Sequence, residues 1–177
     1  SYQSFYKGRR ALTKPDKFSG FNLSFNSCRP ASQGHVRLKT ADPRMAPAIT
    51  PNYLSAQKDI DDVVRMARLI QRMQQTPAVQ DLLAEPPLTD LANMSDNEIV
   101  NDFRARCGTV FHPCGTCRMG PDARTSVVDQ RLRVHGIDGL RVCDASVFPN
   151  ITSANTNAPT LMVAHKAAEM ILQDVSA

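Results

Sequence analysis

DASVFPNITSANTNAPT, residues 144–160, joins an apolar run, GLRVCDAS (139–146), to the start of the last helical pattern of the chain. The run reads as a buried strand. An acidic residue at its end, a polar loop rich in asparagine, and then a helix start make a place for a ligand. The free N–H groups of a helix N-terminus favour negative charge. The alternative is structural: Asp144 caps a turn and the asparagines satisfy loop backbone. The residue types alone leave both open.

Outward from this stretch, the C-terminal pattern predicts a helix over roughly 158–174, with Pro159 in its first turn, where a missing N–H does no harm. Its apolar face is read as Leu161, Ala164, Ala168, Ile171 and Leu172. On the other side, short strands are expected at Val127–Val128, Leu132–Val134 and Leu140–Val142, with Gly136 and Gly139 turning the chain between the last two. Before them lies FHPCGTCRMG (111–120), a loop fixed by Pro113, Gly115 and Gly120. It carries His112, and a histidine held on a rigid loop suits proton transfer near neutral pH. The same loop permits a metal reading. Cys107, His112, Cys114 and Cys117 offer four ligands of the kind structural zinc uses, although no second closely spaced pair accompanies Cys114 and Cys117. A thioredoxin-like role for these two thiols lacks its strand–CxxC–helix context.

Towards the N-terminus, FNLSFNSCRP (21–30) and HVRLKT (35–40) alternate apolar and polar residues, the period of half-buried strands. A turn over Pro30–Gly34 suggests that they pair as an antiparallel hairpin. The proline-rich stretch from Asp42 to Pro51 is expected to be a loop with little ladder bonding. From Ser55 onward, Ile60, Val63, Val64, Ala67, Ile70 and Met73 recur at helical spacing, and Pro77 should end that helix. A second helix is predicted from about Asp96 to Arg106, fronted by Ser95 and Glu98 as a capping box.

The 42% hydrophobic and 21% charged fractions define a globular chain rather than a disordered one. The net charge of +4 comes from scattered residues, and no basic stripe with interleaved aromatics points to nucleic acid. Five unevenly spaced cysteines are no disulfide framework and fit a reducing, cytoplasmic setting better. No run of about 18 apolar residues suggests a membrane-spanning helix.

Four stretches, in this order, carry a family resemblance: RPASQGHVRLKTADPRMAPAITPNYLS (29–55), FHPCGTCRMG (111–120), VVDQRLRVHGIDGLRVCDASVFP (127–149) and NTNAPTLMVAHKAAEMI (155–171). Together they resemble the C-terminal part of glucose–methanol–choline (GMC) oxidoreductases. The resemblance implies an FAD-dependent enzyme that oxidises an alcohol by passing hydride from its α-carbon to flavin N5, with oxygen or another compound as the electron acceptor that reoxidises the flavin. By position, His112 resembles the catalytic histidine, which takes the hydroxyl proton or hydrogen-bonds the oxygen as charge develops. Asn155 falls at the second catalytic position, as a hydrogen-bonding partner of the substrate oxygen. Asp144, Ala145, Asn157, Ala158 and Thr160 resemble flavin contacts.

The fold implied is α+β: an antiparallel sheet with helices from a substrate-binding domain (20–112), then the C-terminal strands and helix of an α/β FAD-binding domain (113–177), after an N-terminal segment (1–19). The family's G-x-G-x-x-G phosphate loop is absent, and the chain opens without Met. It is therefore expected to be a fragment that holds flavin poorly alone. The other reading is an independently folded binding module with a Cys/His zinc site. The substrate alcohol and the oligomeric state are not specified by these residues.

Overall fold

The structure, a computed structural model, describes residues 20–176. The described chain divides into two compact units, 20–27 with 60–108 and 28–59 with 109–176. Among the described residues no helix is long and apolar enough to cross a membrane.

The first unit is helical, as its periodicity predicts. Helix α1 spans Gln57–Gln74, and Val63, Ala67 and Ile70 are buried along one stripe. Arg68 leaves that helix to donate to the carbonyls of Leu91 (2.9 Å) and Met94 (2.8 Å) and to the Asp96 carboxylate (2.9 Å), which fixes the segment leading up to Asp96. Between them, Pro77 opens a short helix α2, Pro77–Gln80, because its missing N–H is tolerated in a first turn. Helix α3 spans Asp96–Arg106 and begins with the predicted capping box: Ser95 Oγ accepts from the Glu98 N–H, and a Glu98 oxygen accepts from the Ser95 N–H at 2.8 Å. Residues 21–27 are not a strand, although Leu23 and Phe25 are half-buried and the Phe25 ring stacks on Phe103 with centroids 5.6 Å apart. Alternation reported which side of an extended segment is covered, not a ladder.

The expected hairpin partner is likewise different. Strand β1, His35–Arg37, pairs antiparallel with β2, Ala48–Thr50, in the register His35↔Thr50, Val36↔Ile49, Arg37↔Ala48. Pro47 and Pro51 flank β2 and limit it to three residues. Two devices favour this pairing over a hairpin with residues 21–30. The N–H groups of Ala31 and Ser32 donate to the buried Asp59 carboxylate at 2.8 and 2.7 Å, so the turn before β1 is held by a helix side chain. Gly34 then passes so close to β2 that a Cβ there would lie 2.1 Å from the Thr50 carbonyl oxygen.

The core of the second unit comprises Val128, Leu132, Val147, Phe148, Val163 and Ala167, with Cys114, Met119, Val142 and Cys143 packed against it. The three short strands expected here are single bridges: Met119↔Val128 parallel, Val128↔Val134 and Arg133↔Arg141 antiparallel. Turns interrupt each pairing before a ladder can grow, as Gly136 and Gly139 at φ 75 and 74 do between the last two. A 3-10 turn, Ala145–Val147, follows, and helix α4 spans Asn157–Val175.

The buried face of α4 is Val163 and Ala167, not the expected one: Leu161 is 65% and Leu172 68% exposed. Outside the polar stripe of His165, Lys166, Glu169 and Gln173 the helix is apolar over a wide arc, so its pattern does not single out which part of that arc is covered. The side that turns inward is marked by charge. Arg131 donates to the Met170 carbonyl (3.3 Å) and to Asp174 (2.6 Å), and Arg141 pairs with the other Asp174 oxygen.

Candidate active site

Loop 111–120 runs beside residues 144–148. Cys117 N–H donates to the Ser146 carbonyl (3.0 Å) and Met119 N–H to the Val147 carbonyl (2.8 Å). Gly115, at φ 86, allows close passage: a Cβ there would sit 3.3 Å from the Phe148 carbonyl oxygen. Phe111, directly before His112, holds a left-handed φ of 62, a conformation non-glycine residues adopt at a cost of about 1–3 kcal/mol.

At the end of this loop His112 is half-buried, and its Nδ1 lies 3.1 Å from the hydroxyl of Thr156. The structure thereby joins the two sequence clusters: the candidate base meets the residue next to Asn155. Asn155 is exposed, and its amide has no partner among the described residues. His112 Nε2 likewise has none. The other three histidines are placed differently. His135 Nε2 lies 3.1 Å from the Gly120 carbonyl and 3.2 Å from Ser126 Oγ, His165 is exposed beside Glu169, and His35 is exposed on β1.

The start of α4 is open. Thr156 is the N-cap, but its hydroxyl makes no capping bond, and its carbonyl accepts from both the N–H (3.0 Å) and the hydroxyl (2.6 Å) of Thr160. Pro159 has no N–H. The N–H groups of Asn157 and Ala158 therefore point out of the helix with no acceptor among the described residues. Asp144 caps the 3-10 turn, its Oδ1 accepting from the Ser146 N–H at 2.8 Å, and Ala145 is the first residue of that turn. The structural reading of Asp144 thus holds, and one carboxylate oxygen is left over. Close by, the buried Ser146 hydroxyl lacks a hydrogen-bond partner among the described residues. Two free N–H groups at a helix start fit a bound group that carries negative charge.

Sequence reasoning did not find Thr156, which looks like any loop threonine, nor Arg29, whose guanidinium donates to Ser153 Oγ at 3.1 Å and steadies the loop before Asn155. Neither carries a local signal, since each acts on a distant segment. The zinc alternative finds no geometry: among the described residues no three His, Cys, Asp or Glu side chains converge as metal ligands, and all five cysteines are free thiols.

Comparison with known proteins accords with this arrangement. The GMC oxidoreductase profile matches residues 30–164. The chain is 42% identical over 156 residues to an alcohol dehydrogenase [acceptor] of Pseudomonas putida, covering 88% of this chain and 28% of that protein. It is 39% identical over 166 residues to an oxygen-dependent choline dehydrogenase of Escherichia coli (strain K12), covering 94% of this chain and 29% of that one. A solved fungal aryl-alcohol oxidase superposes with a TM-score of 0.74 at 33% identity, over 85% of this chain and 25% of the oxidase. The chain belongs to the GMC oxidoreductase family and corresponds to its C-terminal portion. It spans under a third of the length of the curated relatives it matches.

Proposed function

We propose that the protein carrying this chain oxidises an alcohol to its carbonyl compound, with a bound FAD supplying the hydride acceptor. The observation that carries this is the 3.1 Å contact between His112 Nδ1 and the Thr156 hydroxyl, which places a histidine with a free Nε2 at the loop bearing Asn155. His112 takes the hydroxyl proton at Nε2 while the α-carbon loses hydride, so that the C–O bond becomes a carbonyl. Asn155 donates its amide N–H to the substrate oxygen, a bond that strengthens as negative charge gathers there. The N–H groups of Asn157 and Ala158 offset negative charge on the cofactor without reorganising. Asp144, Ala145 and Thr160 complete its contacts, Thr160 by packing and hydroxyl lone pairs, since its hydroxyl proton is engaged with Thr156.

Residues 20–112 belong in this reading to a substrate-binding domain and 113–177 to an FAD-binding domain. The relatives' names, an alcohol dehydrogenase and a choline dehydrogenase, support an alcohol as substrate class. The test is anaerobic: mix the purified full-length protein with a panel of primary alcohols, choline and aryl alcohols, and follow the flavin absorption. Bleaching by at least one alcohol is expected. A flavin that dithionite reduces and no alcohol does would overturn the assignment.

A further inference from the structure

We propose that Thr156 is a positioning residue for His112: its hydroxyl holds Nδ1, and so decides that Nε2 is the nitrogen left for the substrate. This rests on His112 acting as the base.

Thr156 is buried, and among the described residues its hydroxyl has one partner, His112 Nδ1. The position would ordinarily use that hydroxyl otherwise. A threonine at a helix N-cap caps its own first turn, yet here the side chain makes no capping bond. Thr156 sits in the αR region (φ −81, ψ −8) with Pro159 at the third helical position, so its hydroxyl is not set to cap and is left for the imidazole.

A histidine's two nitrogens exchange places by a ring flip, and its proton can sit on either. The bond made by one nitrogen settles which is offered outward. For Nε2 to accept a proton, Nδ1 must carry one, and the Thr156 oxygen accepts it. When Nε2 is protonated in turn, the same Nδ1–H to Oγ bond persists, so the partner serves both charge states without moving. A threonine hydroxyl brings no charge of its own. His112 is thereby oriented without a carboxylate whose negative charge would oppose the one developing on the substrate oxygen.

Valine is the isosteric probe. Thr156→Val keeps the β-branched shape and removes the hydroxyl, and because that hydroxyl caps nothing, the helix loses no capping bond. Thr156→Ser keeps the hydroxyl. In the full-length flavoprotein with 15N-labelled histidine, the His112 resonances should show one tautomer, protonated at Nδ1, in the parent and in Thr156→Ser. They should show averaging of the two nitrogens in Thr156→Val. The rate of flavin reduction at saturating alcohol should fall about 10-fold in Thr156→Val and recover in Thr156→Ser. Identical His112 shifts and rates in parent and Thr156→Val would overturn the inference. If His112→Ala reduced flavin at the parental rate, the assignment of the base would fail instead, whichever nitrogen the spectrum found protonated. A change confined to the thermal midpoint, with shifts and rates unmoved, would reduce Thr156 to a packing role and also overturn it.

Discussion

Helices α3 and α4 begin in opposite ways. At α3, Ser95 and Glu98 close on each other: the hydroxyl accepts from the Glu98 N–H, and a Glu98 oxygen accepts from the Ser95 N–H. At α4, the N-cap is also a hydroxyl residue, but Thr156 turns away to His112, Pro159 sits where a third donor would be, and no acidic residue occupies the first turn. The first start is built to hold the helix. The second leaves its N–H groups bare and gives its capping side chain to another loop. A helix end left unsatisfied calls for a partner, and here the residue before the bare end meets a half-buried histidine through its hydroxyl.

If that contrast is one of stability against chemistry, the largest effect of all should come from His112. In the full-length enzyme His112→Ala should slow alcohol-driven flavin reduction by about 10²–10⁴-fold, the usual worth of positioned general-base help. Cys114→Ser, two residues along the same loop, should cost little. Burial pushes the Cys114 thiol up, against a weaker opposite pull from Arg118, so it stays a neutral packing group. Stopped-flow rates of both variants decide the matter; equal losses would show that the loop matters as a whole and that His112 has no special part.

Next in size is Asn155. On the proposed role of its amide as a donor to the substrate oxygen, Asn155→Ala should lower the reduction rate by about 10-fold or more. Asn155→His should keep more activity than Asn155→Ala, because imidazole also donates. Asn157→Ala should act on the cofactor instead, as weaker flavin retention or a shifted redox potential. Should Asn157→Ala lower the reduction rate while Asn155→Ala leaves it at the parental value, the roles are displaced by two residues along the loop.

How much of this was legible in the sequence follows the same division. The capping box of α3 could be read because its partners lie three residues apart, and the stripe Val63, Ala67, Ile70 because helical spacing is a local property. The His112 loop and the start of α4 stood out through their residue types. Features that depend on distant partners did not. Asp59 is locally no more than an acidic residue in the first turn of α1, yet it holds the N–H groups of Ala31 and Ser32 across some thirty residues of chain, and so helps select the partner of β1. The covered face of α4 was misread because its apolar arc is wider than the face that is buried; the Arg131 and Arg141 pairs with Asp174, which mark the inner side, are long-range. The Thr156–His112 contact spans 44 residues and has no local signature.

The two helix starts should also differ in what they contribute to stability. Ser95→Ala removes a working cap and should cost about 1 kcal/mol. Thr156→Val removes no cap and should shift the thermal midpoint by less. Comparing both midpoints with the parent in the same buffer tests this. A larger loss at Thr156 would mean that the α4 start is held by its hydroxyl after all, and the contrast would be gone.

The smallest effect concerns the charge in the capping box. The Glu98 carboxyl is held below its ordinary value of 4.5, first by the Ser95 hydroxyl, then by the Ser95 N–H, with slight desolvation opposing. Because the folded value lies below the unfolded one, the ionised form stabilises the fold above the unfolded pKa. That contribution is lost as pH falls through the folded pKa. Glu98→Gln keeps an acceptor for the Ser95 N–H but has no charge to lose. Its thermal midpoint should lie slightly below the parent's at pH 7, and the gap should close below about pH 4.5, where the parent's own carboxyl becomes protonated. The start of α4 has no carboxylate in its first turn, so it holds no counterpart of this carboxylate effect. A Glu98→Gln gap that stays constant from pH 7 to pH 3 would mean that the box works through its hydrogen bonds alone, and that charge is not what separates the two helix starts.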